Sequence, residues 1–172
     1  VTDLPVPICG PNQILVKVLA AGVNFIDTYQ RSGLYPLPTP FTLGREGSGE
    51  VVEVGAQVVG IGKGALVAWP AVQGSYADYV ALNPSDCVVV PQGVDAHTAC
   101  AAMLQGMTAH YLVTSVFNIK PGDVALVHAA AGGVGLLLCQ LISARGGTAI
   151  GTVSTQAKEH AAREAGAQHV IR

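Results

Sequence analysis

The chain has 172 residues, 50% of them hydrophobic, and a formal net charge of −2, which is enough apolar material for one large or two small domains. The near-neutral balance, with no block of like charge, argues against nucleic-acid or anionic-membrane partners, and the apolar runs are too short and too Gly-interrupted to span a bilayer. Only 12% of residues are charged, which points to apolar surface that expects a partner or further chain.

The first residues, Val1-Thr2-Asp3-Leu4-Pro5, carry neither an initiator Met nor a signal peptide's basic-then-apolar pattern. Residues 1–95 are rich in β-branched residues and turn signals. Strands are expected at Gln13–Ala20, Gly49–Val54, Ala65–Trp69, Tyr76–Leu82 and Val88–Val90, an all-β module closing as a small barrel. Helical patterning takes over in a connecting segment, 96–120, with one helix running from Ala96 to about Val116 and Asp95 as its cap. Pro121-Gly122-Asp123 then turns the chain into residues 121–172, which read as the first half of a Rossmann-type domain. Its expected elements are a strand from Val124, a helix over Gly133–Ala144 stopped by Arg145-Gly146-Gly147, and a strand over Thr148–Val153. A helix over Ala157–Ala165 stopped by Gly166, and a strand starting at His169-Val170-Ile171, complete the pattern. A doubly wound sheet has about six strands, so this domain reads as incomplete at its C-terminus. Four scattered cysteines (Cys9, Cys87, Cys100, Cys139) with no C-x-x-C spacing suit a reduced, cytoplasmic setting.

Val124-Ala125-Leu126-Val127-His128-Ala129-Ala130-Ala131-Gly132-Gly133-Val134-Gly135 is a strand running through a small-residue turn into a helix. Measured against G-x-G-x-x-G, Ala130 takes the first glycine place, Gly132 the second and Gly135 the third. Backbone N–H groups of Ala131 to Gly135 can approach a pyrophosphate there, helped by the helix dipole. Where an NAD-binder places an acid for the ribose, this chain has Ser154, Thr155 and Lys158 with no acid before Glu159. Two hydroxyls and an ammonium suit a 2′-phosphate, so NADPH is the expected cofactor. The plainer duties of these residues are a helix cap for Ser154 and a solvated charge for Lys158. His128 reads as a neutral buried imidazole and Cys139 as a small buried hydrophobe. No Ser-His-Asp order or G-x-S-x-G elbow supports a hydrolase.

Three further stretches complete a pattern: Ala21-Gly22-Val23-Asn24-Phe25-Ile26-Asp27-Thr28-Tyr29, Arg31-Ser32-Gly33-Leu34-Tyr35-Pro36 and Leu43-Gly44-Arg45-Glu46-Gly47-Ser48-Gly49. With the Ala-Ala-Ala-Gly-Gly-Val-Gly turn they resemble the medium-chain dehydrogenase/reductase superfamily, and within it the zinc-free, zeta-crystallin-like NADPH:quinone oxidoreductases. The resemblance implies an α/β chain, a GroES-like β-barrel followed by a Rossmann-type domain, about half a family member in length. It implies an enzyme reducing a quinone or enone, and a homodimer when full length. In zinc-dependent relatives a Cys stands where Asn24 is and a His where Arg45 is, so no metal is expected here; Asp27, Glu46 and the histidines match no ligand spacing. Asn24, Tyr29 and Tyr35 sit at the positions of the quinone-reductase motif that face the acceptor. Asn24 would hydrogen-bond the acceptor or the nicotinamide ribose, and a tyrosine would donate toward a developing oxyanion. Thr108 matches a residue near the nicotinamide. The plainer reading makes each tyrosine a half-buried packing residue and Thr108 an ordinary helix threonine. An enoyl or alkenal reductase, and a non-catalytic NADPH-binding protein, are the alternatives.

Overall fold

Ile14, Leu15 and Val16 open β1 (Ile14–Gly22) as a continuous buried run, after which burial alternates along the strand. This computed structural model describes residues 3–172; residues 1 and 2, the start of the expected β module, lie outside the described residues. The chain divides into two compact units, Val1–Leu104 and Gln105–Arg172. The helical stretch expected as a connector is therefore shared between them.

In the first unit β1 pairs antiparallel with β2 (Glu46–Val54) on one side and β4 (Tyr79–Leu82) on the other. With β3 (Leu66–Trp69) and β5 (Val88–Val89) these form a five-stranded sheet in the order β4-β1-β2-β3-β5. Its core is Ile14, Val16, Val51, Val67, Trp69, Val80 and Leu82. Trp69 is fully buried, and its indole N–H donates to Ser75 Oγ at 2.8 Å, so the large ring is sealed in without a stranded donor. Strands fall where alternation placed them, within a few residues at each end.

The unit is not all-β. Residues Phe25–Ser32 form a helix, α1. Asn24 is its N-cap, the Asp27 carboxylate accepts the Asn24 backbone N–H at 2.8 Å, and Gly33 ends it in the left-handed region at φ 78°. The aromatic and β-branched content of Phe25-Ile26 hid a cap signal, N-x-x-D, that was present in the sequence.

A single helix from Ala96 to Val116 is also not what forms. Asp95 caps α2 (Ala96–Ala102) as expected, accepting from the His97 and Thr98 N–H groups at 2.9 and 3.0 Å. The helix then breaks at Met103, and α3 (Leu104–Tyr111) starts afresh with the Leu104 N–H given to Glu46 Oε1 at 2.7 Å. A π-turn over Leu112–Val116 follows, closed by the Phe117 N–H on the Leu112 carbonyl at 3.1 Å.

The second unit carries three parallel strands in sequence order, β6 (Val124–Val127), β7 (Thr148–Thr152) and β8 (Ala167–Ile171). They are joined by α4 (Gly133–Ala144) and α5 (Gln156–Glu164), the β-α-β-α-β order expected from the sequence. Val127, Ala130, Cys139, Ile142, Ala149, Ala162 and Ala167 fill the space between helices and sheet. The many alanines permit close helix-on-sheet packing. Arg145 fastens the end of α4, its guanidinium donating to the Ile119 carbonyl at 3.1 Å and to Asn118 Oδ1 at 2.6 Å.

Candidate functional site

Two groups of candidate residues form, one in each unit. In the first, Asn24, Tyr29 and Tyr35 are gathered by α1. Tyr29 and Tyr35 meet edge to face with ring centroids 5.4 Å apart, and Phe25 lies one turn before Tyr29 at 6.5 Å. All three rings are exposed, Phe25 by 80%. An exposed run of three aromatic rings is a flat, apolar surface that a planar molecule can stack on, with phenolic hydroxyls at its margin.

Behind α1 lies a buried polar cluster. Glu46, the first residue of β2, has no solvent exposure. It accepts from Asn24 Nδ2 at 2.9 Å on one oxygen and from the Leu104 N–H at 2.7 Å on the other. Asp27, 5% exposed, takes the Tyr76 hydroxyl at 2.7 Å on the oxygen that also caps α1. Burial raises the Tyr76 phenol above its usual range, and the Asp27 carboxylate beside it adds to the rise. Burial, and after it the Glu46 carboxylate, pushes the Cys100 thiol from an ordinary 9.0 to about 11, so it stays protonated at neutral pH.

Tyr76→Phe should cost about 1–3 kcal/mol, the penalty for taking a donor from a buried carboxylate. Denaturant melts measure it; an unchanged midpoint would show that the Asp27 carboxylate does not depend on this donor.

The second group is the small-residue turn and the loop after β7. Gly132 is the N-cap of α4 and makes no side-chain cap; it and Gly133 are exposed. The turn is pinned from behind: Ala130 N–H donates to the Thr152 carbonyl at 3.0 Å and Ala129 N–H to Thr152 Oγ1 at 3.3 Å. Ala129 sits at φ 50°, a left-handed conformation that costs a non-glycine residue about 1 kcal/mol and is held here by those bonds. Gly135 faces inward, where a Cβ would strike the Ala129 carbonyl and come within 2.7 Å of Ala130 Cα. Ala131 and Val134 complete the turn, both half-buried. An exposed pair of glycines at a helix N-terminus, on a turn fixed from behind, fits a pyrophosphate.

Ser154, Thr155 and Lys158 are exposed together past the end of β7, with Lys158 Nζ 3.2 Å from Ser154 Oγ. The cap of α5 is Thr155, which accepts the Lys158 N–H at 3.3 Å. Ser154 was the expected cap and is not it, which leaves its hydroxyl beside the ammonium. His128 is exposed rather than buried, its Nδ1 3.2 Å from Thr152 Oγ1, because the strand ends at Val127 and the side chain leaves the core with it. Thr108 lies half-buried on α3.

Residue-by-residue reading missed the duties of Glu46, Tyr76 and Gln105. A Cβ on Gly133 would run into the Gln105 carboxamide, so that side chain covers the first residue of α4. Only Glu46 had a signal, a carboxylate leading a glycine-rich strand otherwise destined for burial.

An antiparallel β module followed by a parallel β-α-β-α-β unit with a small-residue turn defines a two-module protein with the fold of dinucleotide-dependent dehydrogenases and reductases. The chain belongs to the alcohol dehydrogenase GroES-like domain family, whose profile matches residues 10–140. It is 44% identical to the quinone oxidoreductase of Pseudomonas aeruginosa over 164 residues, 94% of this chain and 50% of that one. With a 2-haloacrylate reductase from Burkholderia the identity is 38%, covering 94% of this chain and 51% of the relative. The crystal structure of Escherichia coli quinone oxidoreductase complexed with NADPH superposes with a TM-score of 0.96 at 40% identity, covering 99% of this chain and 53% of that one. The resemblance read from the motifs is borne out. The chain spans about half the length of these relatives.

Proposed function

We propose that the protein containing this chain is an NADPH-dependent, zinc-free reductase of quinones or related conjugated carbonyls. The observation that carries the reading is the pairing, within one unit, of a side-chain-free helix N-terminus with an exposed Ser154–Lys158 couple one strand away. Ala131 to Gly135 would hold the pyrophosphate through backbone N–H groups, and Ser154, Thr155 and Lys158 would hold the 2′-phosphate. The NADPH in the E. coli relative supports this choice. Bound there, the nucleotide supplies a hydride. The chain's part is to orient it, with Thr108 and Asn24 toward the nicotinamide end, and to stack a flat acceptor on Tyr29 and Tyr35. One of those phenols donates a proton-bearing O–H to the acceptor oxygen as charge develops.

Zinc independence is supported by donor chemistry. Asn24 and Arg45 occupy the ligand places of zinc-dependent relatives, Arg45 turns its guanidinium to the Ala71 carbonyl at 3.5 Å, and Glu46 and Asp27 are engaged with Asn24, Leu104 and Tyr76. The Burkholderia relative favours a second reading, reduction of an activated carbon–carbon double bond. No helix of the described residues is long and apolar enough to cross a membrane. A cytoplasmic homodimer is the proposed setting, testable by light scattering on the intact protein and by cell fractionation.

Lys158→Ala should weaken NADPH binding by about 1–3 kcal/mol and leave NADH binding nearly unchanged, because one charge-assisted contact to the 2′-phosphate is lost. Calorimetry with both nucleotides measures this; equal losses would remove Lys158 from phosphate recognition.

A further inference from the structure

Glu46 is a carboxylate with no solvent exposure, spent on two hydrogen bonds. A buried charge of this kind is rarely a gain in stability over an apolar side chain of equal size, so its presence calls for another account. The strand opposite makes room for it: Gly22 pairs with Glu46 across β1 and β2, and a Cβ at Gly22 would run into the carboxylate. What the carboxylate controls is the Asn24 side chain. An amide has a donor end and an acceptor end, and a carboxylate oxygen accepts, so only Nδ2 can face Glu46. Asn24 Oδ1 is thereby turned to the other side of the amide plane.

We infer that Glu46 is a positioning residue that fixes the Asn24 amide with its oxygen toward the bound nucleotide, so that Asn24 acts as a hydrogen-bond acceptor for a ribose hydroxyl and not as a donor to the acceptor's oxyanion. This rests on the reading of Asn24 as a site residue. It leaves the donor's duty to the tyrosines. Two lone pairs on Oδ1 allow a ligand hydroxyl to be accepted alongside any protein partner. A Gln at position 46 keeps the shape but offers an NH2, which forces the Asn24 amide to flip and to present its own NH2 to the ligand.

The test is a double-mutant cycle in the intact protein, reading NADPH affinity and the kcat and KM for a quinone. Glu46→Gln should weaken NADPH binding about tenfold with a smaller effect on the quinone KM, and in an Asn24→Ala background the same change should add nothing. Asn24→Asp combined with Glu46→Gln should recover most of the affinity, since an Asp oxygen then accepts from Gln and the other faces the ribose. Equal losses from Glu46→Gln in both backgrounds would make Glu46 merely structural and overturn the inference. No effect of Asn24→Ala on any parameter would instead sink the reading of Asn24 itself. Should Glu46→Gln fail to fold, the wild-type protein still decides: the Asn24 side-chain NH2 protons, identified by their loss in Asn24→Ala, should exchange slowly with solvent. Fast exchange would contradict a bond to a buried carboxylate.

Discussion

Gly132→Val should abolish NADPH binding, weakening it by about 100-fold or more through loss of at least two charge-assisted contacts to the pyrophosphate, while the fold survives. Gly132 sits at φ −83°, ψ 169°, an extended conformation that valine adopts without strain. A Cβ there meets only the Ala129 carbonyl, at 3.2 Å, so the branched side chain projects into the space a phosphate would use. Gly135→Ala makes the opposite case. Its Cβ would press on the backbone of Ala129 and Ala130, which cannot move without releasing the turn from Thr152. Overpacking of this kind costs about 1–3 kcal/mol or more, so the melting temperature should drop along with binding. Calorimetry and thermal melts on both variants separate a blocked site from a damaged unit. Retained NADPH binding in Gly132→Val would contradict the placement of the pyrophosphate.

Tyr35→Phe should lower the rate constant for acceptor reduction about tenfold to a hundredfold with little change in NADPH affinity, as expected when one donor to a developing oxyanion is lost from a partly wet site. Its ring meets Tyr29 edge to face at 5.4 Å, and its 53% exposure leaves the hydroxyl accessible. If Tyr35 serves only as a stacking surface, Phe should be nearly silent and Ala should raise KM, because the ring survives the first change and not the second. Steady-state kinetics on both variants distinguish the roles; unchanged kinetics in both would leave Asn24 and Tyr29 as the candidates.

The parallel unit was legible because its signals are local. Hydrophobic runs, a small-residue turn and two glycine stops mark β6, α4, β7 and α5, and α4 runs over Gly133–Ala144 as expected. The first unit was legible only in its alternating strands. Helix α1 was missed because Phe25 and Ile26 read as strand while the cap that decides the matter is a backbone bond to Asp27. The break at Met103 had no local cause at all: it depends on a carboxylate 58 residues earlier, Glu46, taking the Leu104 N–H. The same holds for the site. Asn24 and the tyrosines were placed through motif resemblance, whereas the groups that hold Asn24 in place come together only through the sheet register that sets Gly22 opposite Glu46. His128 and Ser154 were misjudged for a shared reason: each sits one or two residues past a strand end, where a shift of a single residue exchanges core for solvent.

The most direct test is to dialyse the intact protein against a strong chelator and follow NADPH absorbance on adding a quinone, then an enone. The account predicts that NADPH is consumed with one of these acceptors, much faster than NADH, at a rate the chelator does not change. An unchanged absorbance with both acceptors, or activity that returns only when zinc is restored, would contradict it.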